Sequence, residues 1–264
     1  MTALGPSQVV ATVDVSPVDL RPEASEARDA AALCLHGLTG TPYEVRPLAD
    51  ALVARGVRAQ SIWMAGHNGT VDDLAHSTHE EWVARARQAF HALRAEYARV
   101  FVVGMSMGGL VSLRLAETEP VDAVVSVGAP LEFSPAVRRV LPILKLFKKG
   151  RRKTVSGVAE PDAQARHPYF PLMPYASVLE LIALQDAVRR DLGRISVPIL
   201  VAHGALDKTA NPEDAARIFE GVATAEADKE LMSLARSAHI ATVDYDGPDL
   251  ARAVADFLVA RAPR

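Results

Sequence analysis

Short apolar runs alternate along this chain with longer stretches whose apolar positions recur every three or four residues, the pattern of strands separated by helices. The runs at 31–35, 57–62, 100–103, 121–127, 198–202 and 230–234 read as strands, with an early edge strand at 9–15. Val45, Leu48, Ala49 and Leu52 mark one face of a helix over 42–55, which Gly56 ends. Trp82, Ala86, Phe90, Leu93 and Tyr97 form the core stripe of another, opened by Thr78 and Glu81 at capping-box spacing. Further helices follow over 110–116, from Ala215, and over 248–260. Strands apolar at nearly every position belong in a mainly parallel sheet covered by helices on both faces, so the predicted fold class is α/β.

The alternation fails between 129 and 195. Prolines at 130, 135, 142, 161, 168, 171 and 174 break the stretch into short pieces before one amphipathic helix over 176–192. Residues 1–128 and 196–264 therefore read as one core, and 129–195 as an insertion. Within it, the apolar 141–147 precedes the basic run 148–153. That combination suits either a packed segment with a solvated charged turn or transient contact with an anionic lipid surface.

The chemistry sits where a strand turns into a helix. Gly104-Met105-Ser106-Met107-Gly108 follows the apolar run 100–103 and has the spelling of a nucleophile elbow. A serine in a strained turn needs glycines two positions to either side so that strand and helix can approach. Its hydroxyl also needs a base, and the base needs an orienting carboxylate, in the chain order serine, acid, histidine. Beyond Ser106, His167 lies in an irregular stretch and His203 ends a strand, whereas His239 lies in a loop before the last helix. His239 is the candidate base. Asp207, just past the strand ending at His203, is the candidate acid. Asp186 and Asp191 fall in a helical pattern, Asp214 in a helix's first turn, and Asp244 is expected to face solvent.

Composition narrows the range. A net charge of −3 gives no electrostatic footprint for nucleic acid, and the single cysteine, Cys34, excludes an internal disulfide. No run is long and apolar enough to span a bilayer, and the first twenty residues lack a secretory pattern, so a cytoplasmic location is expected. No H-E-x-x-H or paired-cysteine spacing suggests zinc, and no cofactor or metal is expected. The oligomeric state is not legible.

Cys34-Leu35-His36-Gly37-Leu38-Thr39-Gly40, the elbow with Gly109, the Asp207 loop and the residues from Ser237 to Asp246 together resemble the α/β-hydrolase superfamily. More narrowly, they are similar to bacterial carboxylesterases and monoacylglycerol lipases, over most of the chain from about residue 30. The resemblance implies an α/β-hydrolase fold with 129–195 as a helical cap over the serine. It implies an oxyanion hole from the backbone N–H groups of Leu38 and Met107, and a small-molecule ester, such as a monoacylglycerol, as substrate. His36 and His67 are read as loop-shaping residues. If the cap forms an acyl pocket, its expected lining is Leu141, Ile143, Leu144, Phe147 and Leu181. Acyl transfer, lactone, amide or carbon–carbon hydrolysis, and ligand binding without catalysis, remain open alternatives, because a fold does not choose a substrate.

Overall fold

A computed structural model describes residues 13–153 and 157–262. The main sheet contains β1 (Asp19–Leu20), β2 (Ala30–Leu35), β3 (Arg58–Ser61), β4 (Arg99–Met105), β5 (Ala123–Val127), β8 (Ile199–Gly204) and β9 (Lys229–Leu234). Their order is β1-β3-β2-β4-β5-β8-β9, parallel throughout except for β1, which runs antiparallel to β3. The expected strand at 9–15 lies mostly outside the described residues, and its described part, 13–15, is not a strand.

The sheet is buried on both faces, which is why its strands are apolar at successive positions. Along β4, Val100 and Val102 join one core layer while Phe101, Val103 and Met105 join the other. Helices α1 (Arg46–Val53) and α9 (Gly247–Val259) cover the second layer, through Leu48 and Leu52 on one and Leu250 and Phe257 on the other. Helices α3 (His79–Arg94), α4 (Met107–Thr118), α7 (Tyr175–Asp191) and α8 (Glu213–Gly221) cover the first. The helix expected over 42–55 is split. Pro42–Val45 is a 3-10 turn and α1 begins after it, with Pro47 in a first turn that leaves its missing N–H without cost. Thr78 and Glu81 cap α3 reciprocally as expected, and Thr70 with Asp73 does the same for a short helix that periodicity missed, α2 (Val71–His76).

Between β5 and β8 the chain forms α5 (Pro135–Phe147), a hairpin of β6 (Gly150–Arg152) and β7 (Leu172–Pro174), the short α6 (Pro161–Arg166) and α7. Helix α5 corrects the expectation that prolines fragment this stretch. Pro135 occupies its first turn, where proline is favoured, and Pro142 removes one interior hydrogen bond without ending it. Leu184 and Val188 of α7 pack into the first core layer with Leu110 and Leu113 of α4, which anchors the whole segment beside the elbow helix.

Candidate active site

Ser106 sits between β4 and α4 with φ 54° and ψ −116°, a backbone conformation that L residues rarely adopt. The flanking glycines make it possible. A Cβ on Gly104 would lie 2.0 Å from the Gly108 carbonyl oxygen, and one on Gly108 would lie 2.1 Å from that of Leu35. The Ser106 N–H donates to the Val127 carbonyl at 2.7 Å, pinning the turn to β5.

The loops after β8 and β9 bring the other two residues to it. His239 Nε2 lies 2.9 Å from Ser106 Oγ, and His239 Nδ1 lies 2.7 Å from Asp207 Oδ2. A carboxylate can only accept, so Nδ1 carries the proton and Nε2 is left to accept from the serine hydroxyl. Ser106, Asp207 and His239 are each buried. Burial alone would push the Asp207 carboxyl up, but hydrogen bonds from His203 and His239 and the Ala210 N–H outweigh it and hold it well below the usual carboxylate range. Oδ1 also accepts from the N–H of Thr209 at 2.7 Å. Asp207 is thus a fixed anion whose Oδ2 meets two imidazole nitrogens, His203 Nε2 and His239 Nδ1.

The N–H of Leu38 and that of Met107, the first residue of α4, have no acceptor among the described residues. The loop carrying Leu38 is held from beneath. His36 Nε2 accepts from the Met64 N–H and its Nδ1 donates to the Gly37 carbonyl; His67 Nε2 accepts from the Thr39 N–H and its Nδ1 donates to the Ala65 carbonyl. Burial pushes both rings down, His67 to about 3 with help from the neighbouring His36, so both are neutral struts. Neither lines the cavity described below.

Sequence reasoning missed Glu44 and His167 here. Glu44 Oε2 accepts the Gly37 N–H at 2.8 Å, and Oε1 faces His167 Nε2 at 3.1 Å. Burial disfavours its charge, yet His167, His36 and the Gly37 N–H overcome this and bring its pKa down to about 2. The signal was Gly40, since a Cβ there would lie 2.2 Å from Glu44 Oε1. Thr39 has φ 61°, strained for a β-branched residue, and is tied to the 129–195 segment by the Phe170 N–H at 2.9 Å and Lys153 Nζ at 3.0 Å.

Asp244 does not face solvent. It is 4 % exposed, and its carboxylate accepts the N–H groups of Ala159, Glu160, Ala238 and Tyr245. A loop carboxylate collects several backbone donors when two segments fold around it, and the sequence pattern carries no trace of that. Here it joins the His239 loop to the 129–195 segment. Asp214 is likewise buried, accepting from Leu131 and Glu132 N–H groups.

A cavity opens onto Ser106 and His239, walled by Leu38, Phe133, Met173, Val178, Leu181 and Ile240. Of the five apolar residues expected to line a pocket, Leu181 does so. Leu141 is buried away from the cavity, Leu144 is half-buried, and Ile143 and Phe147 turn outward with 58 % and 80 % of their surface exposed. Helix α5 faces solvent along that side, and the hairpin and α7 supply the wall instead.

Fold and site together define an α/β-hydrolase: a parallel sheet whose carboxyl end carries a serine elbow, with a histidine and an aspartate delivered by the loops after β8 and β9. The Hydrolase_4 family model, described as serine aminopeptidase, S33, matches residues 26–246, and the chain belongs to that family. It is 30 % identical over 242 residues to the thermostable monoacylglycerol lipase of Bacillus sp. (strain H-257), covering 91 % of this chain and 95 % of that protein. It is 28 % identical to a carboxylesterase of Bacillus subtilis (strain 168), covering 90 % and 96 %. Among solved structures, the Paleococcus ferrophilus monoacylglycerol lipase superposes with a TM-score of 0.76 at 21 % identity, covering 94 % of this chain and all of that one. A structure from work on two metagenome-derived lipolytic enzymes superposes with a TM-score of 0.84 at 24 % identity, covering 95 % and 99 %. Among the described residues no helix is long and apolar enough to cross a membrane.

Proposed function

We propose that this chain is a serine ester hydrolase that cleaves carboxylic esters of short to medium acyl chains, monoacylglycerols among them, through an acyl-enzyme. The observation that carries the reading is the hydrogen-bonded series Ser106 Oγ, His239 Nε2, His239 Nδ1, Asp207 Oδ2 at the mouth of an apolar cavity. Ser106 Oγ attacks the acyl carbon as its proton passes to His239 Nε2. The N–H groups of Leu38 and Met107 receive the oxyanion, each such donor contributing roughly 3 kcal/mol to the transition state. The intermediate collapses, and the departing alkoxide takes the proton from His239. Water then gives a proton to His239 and attacks the acyl-serine, and Ser106 leaves with that proton, releasing the acid. No step calls for a metal or cofactor.

The relatives named as a monoacylglycerol lipase and a carboxylesterase support an ester as substrate. The family description, serine aminopeptidase, raises amide hydrolysis as a second reading. A free α-ammonium needs a carboxylate beside the serine, and the charged side chain in this cavity is a lysine, Lys153. The 129–195 segment acts as the cap, and the exposed apolar face of α5 beside its lysines and arginines is its lipid-facing surface.

The test combines fluorophosphonate labelling with hydrolysis of p-nitrophenyl esters and aminoacyl p-nitroanilides. Label on Ser106, ester turnover and its loss in Ser106→Ala are expected. Label elsewhere, or anilides cleaved faster than esters, would overturn the reading.

A further inference from the structure

Lys153 follows β6 and is the one charged side chain among the cavity-lining residues described. Its Nζ donates to Thr39 Oγ1 at 3.0 Å and lies 4.8 Å from the centre of the Tyr169 ring. Its basic neighbours differ: Lys149 approaches Asp72 at 3.6 Å, and Arg151 and Arg152 lie in solvent. No carboxylate lies within ion-pair distance of Lys153 among the described residues, whereas Lys149 and Lys229 each have one. The acid whose charge it feels most, Glu44, has both oxygens committed, to the Gly37 N–H and to His167. Burial pushes the Lys153 ammonium down and the Glu44 charge offsets part of that. An ammonium has three donors, and among the described residues one of them is used. Enclosing an unpaired cation in an apolar cavity is costly unless something else supplies the acceptor.

We propose that Lys153 forms a subsite for a carboxylate group borne by the substrate, so that this enzyme selects esters with a free carboxylate over neutral esters of the same size. The inference rests on the ester-hydrolase reading and names its substrate class. The ammonium shares the cavity with Ser106 and His239 and is tethered to the loop carrying Leu38, so a carboxylate paired to it is held with its ester near the nucleophile. Thr39 Oγ1 and the Tyr169 ring hold the cation in place, which lowers the ordering cost of pairing with a ligand.

The carboxylate can belong to the acyl part or to the alcohol part, and two matched pairs separate them. The acyl pair is p-nitrophenyl hydrogen glutarate against p-nitrophenyl pentanoate; the alcohol pair is carboxymethyl butyrate against propyl butyrate. In the wild type one pair should favour the anionic ester in kcat/KM, and in Lys153→Met that ratio should fall by about tenfold, the share of one charge-assisted hydrogen bond. Lys153→Arg should keep most of the ratio, since its charge remains. An unchanged ratio in Lys153→Met would overturn the subsite. So would equal loss on both members of each pair, which would make Lys153 a positioning residue acting through Thr39. Wild-type enzyme that cleaves no neutral ester would overturn the hydrolase reading and this one with it, whereas neutral turnover with no anionic preference in either pair would overturn this one alone.

Discussion

His203 Nε2 lies 2.8 Å from Asp207 Oδ2, the same oxygen that His239 Nδ1 approaches at 2.7 Å. Two imidazoles therefore share one acceptor, and the His203 Nδ1 has no partner among the described residues. His203 is a positioning residue that draws charge away from the oxygen orienting His239. Its removal takes away one of the two imidazole donors that hold Oδ2 in line with His239 Nδ1. His203→Ala should lower kcat by about tenfold, the scale of a hydrogen bond to a charged group. Because the His203 hydrogen bond is among the causes that hold the Asp207 carboxyl low, that carboxyl should titrate at higher pH in His203→Ala. His203→Gln, which keeps an N–H donor, should recover part of both effects. A pH–rate profile of His203→Ala that overlays the wild type would limit His203 to packing.

Ser106 and His239 act on one proton, so their removal should not be additive. Ser106→Ala and His239→Ala should each lower kcat by roughly 10³-fold or more, and the double variant should be little worse than either. Asp207→Asn should fold normally, because its Oδ1 can still accept the Thr209 and Ala210 N–H groups, yet lose much of the rate. Steady-state kinetics on one chromogenic ester checks all four variants. Multiplicative losses would place one of the two outside the unit.

Ser106, Asp207 and His239 could be picked from the sequence because their signals are local: a glycine-framed elbow, and loops that follow strand-like runs. The sheet was legible for a related reason, since burial on both faces leaves continuous apolar runs. His167, His203 and Lys153 carry no such signal, and Glu44 has only Gly40 nearby to mark it. His167 and Lys153 reach Glu44 and Thr39 from 123 and 114 residues away, and only the packing of the 129–195 segment brings them there. Helix α5 misled for a different reason. Pro135 and Pro142 hid the helix, and an apolar run by itself cannot say whether it meets a core or solvent.

Glu117 offers a stability test away from the site. It lies on α4 against Arg114, its Oε1 has no partner among the described residues, and burial outweighs the arginine to raise its pKa to about 7. The folded state therefore holds a proton up to about pH 7 that the unfolded chain releases near its ordinary value of 4.5. Between those limits the native state binds more protons, so this group lowers stability as pH rises. Glu117→Gln should be close to wild type in Tm at pH 4.5, gain on it through pH 7, and hold that gain above. Thermal scans at several pH values measure it, and a gain independent of pH would show that Glu117 does not titrate in this window.

The outward face of α5 has Val140, Ile143, Leu146 and Phe147 exposed, with Arg139, Lys145, Lys148 and Lys149 exposed around them. An apolar face ringed by cations complements an anionic lipid surface, each cation near it contributing about 1 kcal/mol. Sedimentation with phosphatidylglycerol-containing vesicles should retain the protein at low salt and release it at high salt. Leu146→Ser with Phe147→Ser should weaken retention several-fold. Equal retention by neutral phosphatidylcholine vesicles, or none by either, would remove the lipid-facing role of α5.

Acyl-chain preference should be set by the hairpin and α7, not by α5. Met173, Val178 and Leu181 wall the cavity, while Ile143 and Phe147 lie outside it. Each substrate methylene buried against that wall contributes up to about 0.8 kcal/mol, or about fourfold in kcat/KM, until the cavity is full. In the wild type, efficiency should climb with acyl length and then level off. Val178→Trp fills the wall from within, and its break in the climb should come at a shorter chain, with acetyl esters least affected because they do not reach the wall. Ile143→Ser should leave the position of the break where it is. The comparison uses one p-nitrophenyl series from acetate to decanoate with all three proteins. A break that moves in Ile143→Ser and stays fixed in Val178→Trp would mean that α5 folds inward over bound substrate and that the cavity wall plays no part in selecting the chain.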